Sequence, residues 1–451
     1  GATLGRVIDG RILGAGSAAV ETGRIDRFRL NGASEGAPIP DVHGRARIAG
    51  QVIWATQFQE HVQKSGGGKG GPSQPKVKEY SYTVSLAVAL CKGEITRVGR
   101  IWADGNEVSK SDLNIRVYPG SEPQLPDPKI EAVEGAGLAA AYRGTAYVVF
   151  EDLALASYGN RVPNFSFEVM RSGEGDLSDV IEAVAMIPGT GEYALATTPV
   201  QFQEGRGRFR SANEHTPSGL TDFQTSLDAL SEELPNCGAT SLVVSWFGTD
   251  LRCGSCEVAP RVEQVVQDGS VPWSVSGVSR ALAETVPLID DRPVFGGTPS
   301  DASVLEAIAA MQDAGQRVMF YPFILMEQMA ENGLPDPWTG APDQPTLPWR
   351  GRITSSLAPG QAGSPDRTTA VEAEVAAFFG TAAGDAFTVE NGSVSYNGSD
   401  EFSYRRFILH YAHLCAVAGG VAAFCIGSEM RGLTQIRGAG NSFPAVEALR
   451  V

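Results

Sequence analysis

One phrase of sequence occurs three times in the later part of the chain and constrains its fold more than any other feature. Phe223, Leu227, Leu230 and Leu234 recur at helical spacing, Gly238 follows as a stop, and Ser241–Phe247 reads as a buried strand. Val304, Leu305, Ile308 and Met311 repeat the helix face, ended by Gly315 and followed by a strand over Arg317–Met326. Phe407, Ile408, Tyr411, Leu414 and Cys415 repeat it again, before Gly419-Gly420 and a strand over Val421–Gly427. Strands that alternate with helices in this way pair in parallel, either in a doubly wound sheet or in a (β/α) barrel.

The loops favour the barrel. Roughly fifty residues separate the strand at Ser241 from the helix near Ser300, and roughly forty rich in Pro and Gly follow Met326, whereas the helix-to-strand turns are short. Neither Gly-x-Gly-x-x-Gly nor a phosphate loop follows these strands, so nucleotide-binding sheets lose their usual signature. A full barrel takes about 250 residues and eight strands. Here the three strands, a fourth candidate at Arg292–Phe295 and a helix opening near Pro444 read as a barrel still incomplete at Val451, a piece of something longer.

The first third has a period of two. Tyr80, Tyr82, Val84, Leu86, Val88 and Leu90 fall on one face of a long strand. Ala46–Trp54, Ile95–Trp102, Ile115–Tyr118, Thr145–Phe150 and Phe165–Met170 are further strands, and Ala103-Asp104-Gly105-Asn106 carries hairpin-turn residues. Residues 61–78, with Gly, Pro and Lys prominent, read as a mobile connection between two strands. The expected organisation is an α+β multidomain chain: an N-terminal segment 1–24, a mostly β domain 25–172, a connector 173–220 and a truncated TIM-type (β/α) barrel 221–451.

Charge and composition exclude some functions. The 36 Lys and Arg against 52 Asp and Glu give a formal charge of −16, which repels a phosphate backbone and disfavours tight DNA binding. Apolar runs such as Val84–Cys91 fall far short of the roughly 20 residues of a membrane-spanning helix. Arg6, Asp9 and Arg11 break the opening segment, so it does not read as a signal peptide. Six cysteines are too few for a disulfide scaffold and suit synthesis in a reducing cytoplasm.

In a barrel, residues just after each strand face the mouth. Asp250 and Arg252 follow the first strand, Glu327 the second, and Glu429 with Arg431 the third. Paired carboxylates about 5–9 Å apart in an aromatic cleft are what glycoside hydrolysis needs. On that reading Glu429 is the acid/base, with Glu327 and Asp250 as further catalytic candidates. Trp246, Phe247, Tyr321, Trp338 and Trp349, with Arg252 and Arg431, form the glycan cleft. The alternative is that Glu429 pairs with Arg431, Arg252 or Arg405 and only closes the mouth. Ile426-Gly427-Ser428-Glu429 resembles the Gly-Asn-Glu strand end of retaining barrel glycosidases, with Ser428 in place of the Asn. No cofactor or metal site is expected: Cys253-Gly-Ser-Cys256 has no second pair, and His410 and His413 read as ordinary helix histidines.

Longer strings carry a family resemblance. Gly36–Arg45 and Tyr80–Gly105 resemble the hub region of siphophage tail-tip proteins, the host-specificity or tip attachment group. Val244–Cys256, Tyr321–Phe323, Pro348–Thr354 and Ile426–Thr434 resemble the TIM-barrel domain of the large baseplate protein of gene transfer agents (GTAs). The resemblance implies a virion protein at the tail tip or baseplate, a homotrimer docked on tail hub and distal tail proteins. It would contact a surface glycan or receptor and let DNA pass without specific binding. A structural role in assembly, envelope contact and DNA delivery is the preferred reading. Glycoside hydrolase and non-catalytic carbohydrate-binding barrel are the alternatives.

Overall fold

The structure, a computed structural model, describes residues 20–22, 36–65, 77–173, 177–390 and 392–450. The chain divides into two compact units, Gly1–Asp176 with Pro217–Gly219, and Leu177–Thr216 with Leu220–Val451.

The first unit is built on β5 (Val77–Lys92), the long strand of the period-two pattern. It pairs with β1 (Val20–Thr22), β3 (Gln51–Ala55), β4 (Gln59–Ser65) and β9 (Thr145–Ala154), and β9 carries β8 (Ile115–Tyr118). A second sheet runs β2 (Gly44–Ala49), β10 (Phe165–Arg171), β6 (Arg97–Ala103), β7 (Asn106–Val108). Tyr82, Val84, Leu86, Val88 and Leu90 join Ile101, Phe167 and Val169 in one core. Ala87, on the other face of β5, packs with Tyr147, Val149 and Ile130 of helix α1 (Pro128–Glu134).

Two expectations need correction here. The strand expected over Ala46–Trp54 is two strands that break at Gly50 and enter different sheets, β2 with β10 and β3 with β5. A side chain at Gly50 would collide with Val88 and Phe167, so only glycine lets the backbone cross the core there. The connection expected over 61–78 starts later than its composition suggests, because residues up to Ser65 and from Val77 pair as β4 and β5. Its Gly-rich centre, 66–76, lies outside the described residues, as does most of the segment 1–24.

Glu168 on β10 is buried and clamped by two arginines. Arg45 Nε donates at 2.8 Å and Arg100 Nη2 at 3.0 Å. Burial alone pushes its carboxyl up, but the Arg45 and Arg100 hydrogen bonds outweigh burial and hold its pKa at about 2. A pKa depressed on folding contributes stability that is full above the ordinary value of 4.5 and is lost as pH falls toward about 2. Chemical denaturation at stepped pH should show the first unit weakening across that window, and Glu168→Gln should flatten the decline. An unchanged slope in the variant would overturn this assignment.

The second unit holds a parallel sheet in sequential order: β11 (Ala183–Met186), β14 (Ala239–Gly248), β16 (Arg317–Met326) and β17 (Ala423–Phe424). A short antiparallel strand, β15 (Val258–Ala259), caps the end of β14. Residues 173–220, expected as a connector, supply β11 and the hairpin of β12 (Gln201–Gly205) and β13 (Arg208–Ser211). The helices between the sheet strands include α2 (Asp222–Glu233), α3 (Asp301–Asp313), α4 (Thr369–Phe379) and α5 (Tyr404–Val417). Thr221, Ser300 and Ser403 cap α2, α3 and α5 by accepting a first-turn backbone N–H.

The unit is thus mixed α/β, and among the described residues its sheet does not close into a barrel. The further sheet strand expected over Arg292–Phe295 is instead a short strand, Arg292–Pro293, that pairs with Leu288–Ile289 as a hairpin within the long loop after β14. The strand expected over Val421–Gly427 shrinks to Ala423–Phe424. No described helix is long and apolar enough to cross a membrane.

Candidate functional site

Strand parity sorts the candidate aromatics. Leu242, Val244 and Trp246 point to the helix side of the sheet and are buried, and so are Val318, Phe320 and Ile324 in register beside them. Trp246 donates its indole N–H to Tyr411 Oη at 3.1 Å and packs on Phe407 of α5. Phe247, also fully buried, packs near Phe295. The expectation that Trp246 and Phe247 line a cleft is therefore corrected, because both are core. Tyr321 has the opposite parity, is partly buried and meets Ser428 through its hydroxyl.

The carboxylates follow their strands as expected, but each is held by an arginine. Asp250, buried, takes Arg252 Nε and Nη2 as a bidentate pair and accepts a hydrogen bond from Gln344 at 2.7 Å. Asp250 holds the Arg252 pKa above its usual value. Glu327 takes Arg261 Nε and Nη2 at 2.8 and 2.7 Å. Burial works against the Arg261 charge, yet the Glu327 bonds outweigh it and raise its pKa. Glu429, half exposed and in the left-handed region at φ +55°, accepts the Trp349 indole N–H at 2.5 Å and pairs with Arg350 Nη2 at 3.1 Å. No hydrogen bond or ion pair joins these three carboxylates among the described residues.

Trp338, Trp349, Arg352, Arg431, Gly432 and Gln435 line a groove of about 310 Å³ beside Glu429. Trp338 donates its N–H to the Arg352 carbonyl at 2.7 Å, and Arg352 pairs with buried Asp336 at 3.4 Å. A side chain at Gly432 would lie 2.6 Å from the Ile353 carbonyl oxygen and 3.1 Å from the Trp338 ring, so the groove floor requires glycine. The structure thus gathers Trp338, Trp349, Arg431 and Glu429, while Asp250, Arg252 and Glu327 belong to separate ion pairs.

Sequence reasoning passed over Arg350, Arg352, Arg261 and Gln344. Arg350 and Arg352 stand within Pro348–Thr354, where a Trp followed by two arginines, Trp-Arg-Gly-Arg, on a strand-following loop was signal enough. The partners proposed for Glu429 from spacing, Arg431, Arg252 and Arg405, give way to Arg350, which the long loop after β16 delivers.

Cys253 and Cys256 are buried free thiols. Burial raises both, Cys256 to about 12, which makes them poor nucleophiles. His410 is fully buried and meets Asp301 Oδ1 through Nε2 at 2.9 Å, and His413 stacks on Phe387. No group of three His, Cys, Asp or Glu among the described residues is placed to hold a metal ion.

Residues 402–451 match the family model of the GTA TIM-barrel-like domain. A chain in the solved virion of a native gene transfer agent (GTA) particle is 56% identical over 42% of this chain and 40% of that one, with a TM-score of 0.28. This chain spans less than half of that relative's length. No curated protein matches. The gene transfer agent resemblance carried by Ile426–Thr434 thus falls inside the matched family region.

Proposed function

We propose that this chain is a structural protein of a gene-transfer-agent-type virion. In this reading it sits at the tail tip or baseplate as a homotrimer with hub and distal tail proteins, and serves tail assembly, envelope contact and DNA delivery. The observation that carries it is the match of residues 402–451 to the GTA TIM-barrel-like domain. The sequential parallel order of β11, β14, β16 and β17, with helices between, is that of an arc of a (β/α) barrel and supports the same assignment. A formal charge of −16 suits a protein past which DNA moves without adhering.

Particles made without this protein should lack a complete tail tip in electron micrographs and fail to deliver DNA. Intact tails with undiminished transfer would overturn the assignment.

The indole-lined groove favours a second activity for the same protein, carbohydrate binding without cleavage. Hydrolysis needs a second carboxylate about 5–9 Å from the first across the substrate. Beside Glu429 stand Arg350 and the Trp349 indole, and Ser428 occupies the position of the sugar-binding Asn.

A further inference from the structure

We propose that the groove between Trp338 and Trp349 takes a carboxylated sugar, a uronic acid or similar acidic unit of a surface polysaccharide, with Arg431 as the carboxylate partner. This rests on the carbohydrate-binding reading above and names the class of glycan.

The two indoles come first. Tryptophan has one hydrogen-bond donor. Trp349 commits its donor to Glu429 and Trp338 commits its donor to the Arg352 carbonyl. What each ring presents to the groove is therefore carbon, fixed in orientation by those bonds, a stacking surface for the C–H face of a pyranose. Trp349 is 47% exposed, so this surface is open to solvent. The volume of about 310 Å³ lies at the small end of the range for ligand sites and suits a sugar unit or two.

Charge selects among sugars. Arg350 is engaged by Glu429 and by Ser428, and Arg352 by Asp336. Arg431 lines the groove, is exposed, and has no carboxylate partner among the described residues. The cluster therefore carries one positive charge beyond its carboxylates. A guanidinium fork matches a carboxylate in a two-point arrangement that a neutral hydroxyl cannot reproduce. Gln435, on the same wall, offers an amide for a ring hydroxyl. Nucleic acid also favours tryptophan and arginine, but it calls for a track of phosphate contacts, and here one guanidinium is left over on a chain of charge −16.

The test is calorimetry on the full chain with three probes: an oligogalacturonate, a neutral malto-oligosaccharide of equal length, and a short single-stranded oligonucleotide. The acidic sugar should bind about tenfold more tightly than the neutral one, the size expected for hydrogen bonds to a charged group. It should be recovered uncleaved. Arg431→Gln should remove that preference while leaving neutral-sugar binding in place, and Arg431→Lys should keep part of it. Trp349→Ala should weaken both sugars, with circular dichroism confirming that each variant is folded. Equal binding of both sugars, lost in Trp349→Ala, would overturn the acidic class and leave carbohydrate binding standing. Binding of neither sugar would overturn both readings, and tighter binding of the oligonucleotide would make the groove a nucleic-acid site and overturn the proposal.

Discussion

Trp246→Ala should lower the stability of the second unit by about 3–5 kcal/mol, the range for removing a buried tryptophan or phenylalanine side chain. Trp246 is fully buried, its ring stands 5.2 Å from that of Phe407 and 5.8 Å from that of His410, and its N–H meets Tyr411 Oη. The substitution empties the space between β14 and α5 and leaves the Tyr411 hydroxyl without its donor. Tyr411→Phe keeps the volume and strands only the indole N–H, so its cost should be smaller, about 1–3 kcal/mol. Urea denaturation followed by far-ultraviolet circular dichroism measures both. A loss below that of Tyr411→Phe would mean that Trp246 is not a core residue, and would return it to the glycan cleft where its place after a strand first put it.

Arg280→Ala should cost about 3–5 kcal/mol in the same unit, because it leaves a buried carboxylate without its counterion. Arg280 and Glu192 are each 3% exposed at the side chain and meet at 2.5 Å. Arg280 Nη1 reaches the other Glu192 oxygen at 2.9 Å, and Nε reaches Asp268 at 2.6 Å. Burial opposes the Arg280 charge, but the Glu192 and Asp268 bonds outweigh it and hold its pKa above the usual value. The knot ties the loop after β14 to the segment after β11, through Glu263 N donating to Glu192 at 2.6 Å and Ser300 N donating to the Glu192 carbonyl. Glu192→Gln with Arg280→Met should recover much of the single-variant loss, since with both charges gone neither side chain is left needing a buried counterion. Additive losses in that cycle would show that the two side chains act independently and would refute the assignment.

Part of this architecture was legible in residues. Asp104 sits at φ +51° in the turn between β6 and β7, where Ala103-Asp104-Gly105-Asn106 announced a hairpin. The helix faces around Phe223, Val304 and Phe407 are buried as their spacing required. The parity of Trp246 was also available, since it shares a face with Leu242 and Val244, but its place just before the loop drew it toward the mouth. The break at Gly50 was not legible, because the obstacle it avoids is Val88 and Phe167, far along the chain.

By itself the sequence determined what repeats locally: three helix–glycine–strand phrases that force a parallel order, a period-two first unit, and strings shared with gene transfer agent proteins. These follow from the 3.6 and 2.0 periods and from turn chemistry, which act over a few residues. The tertiary structure alone decided which arginine meets which carboxylate. Arg350 reaches Glu429 across a separation of 79 residues, Arg261 reaches Glu327 across 66 and Arg280 reaches Glu192 across 88. A salt bridge depends on where two loops end in space, and no spacing rule carries that far. So Glu429 became the anchor of an indole at the edge of a groove, where the string around it alone read as the end of a glycosidase strand.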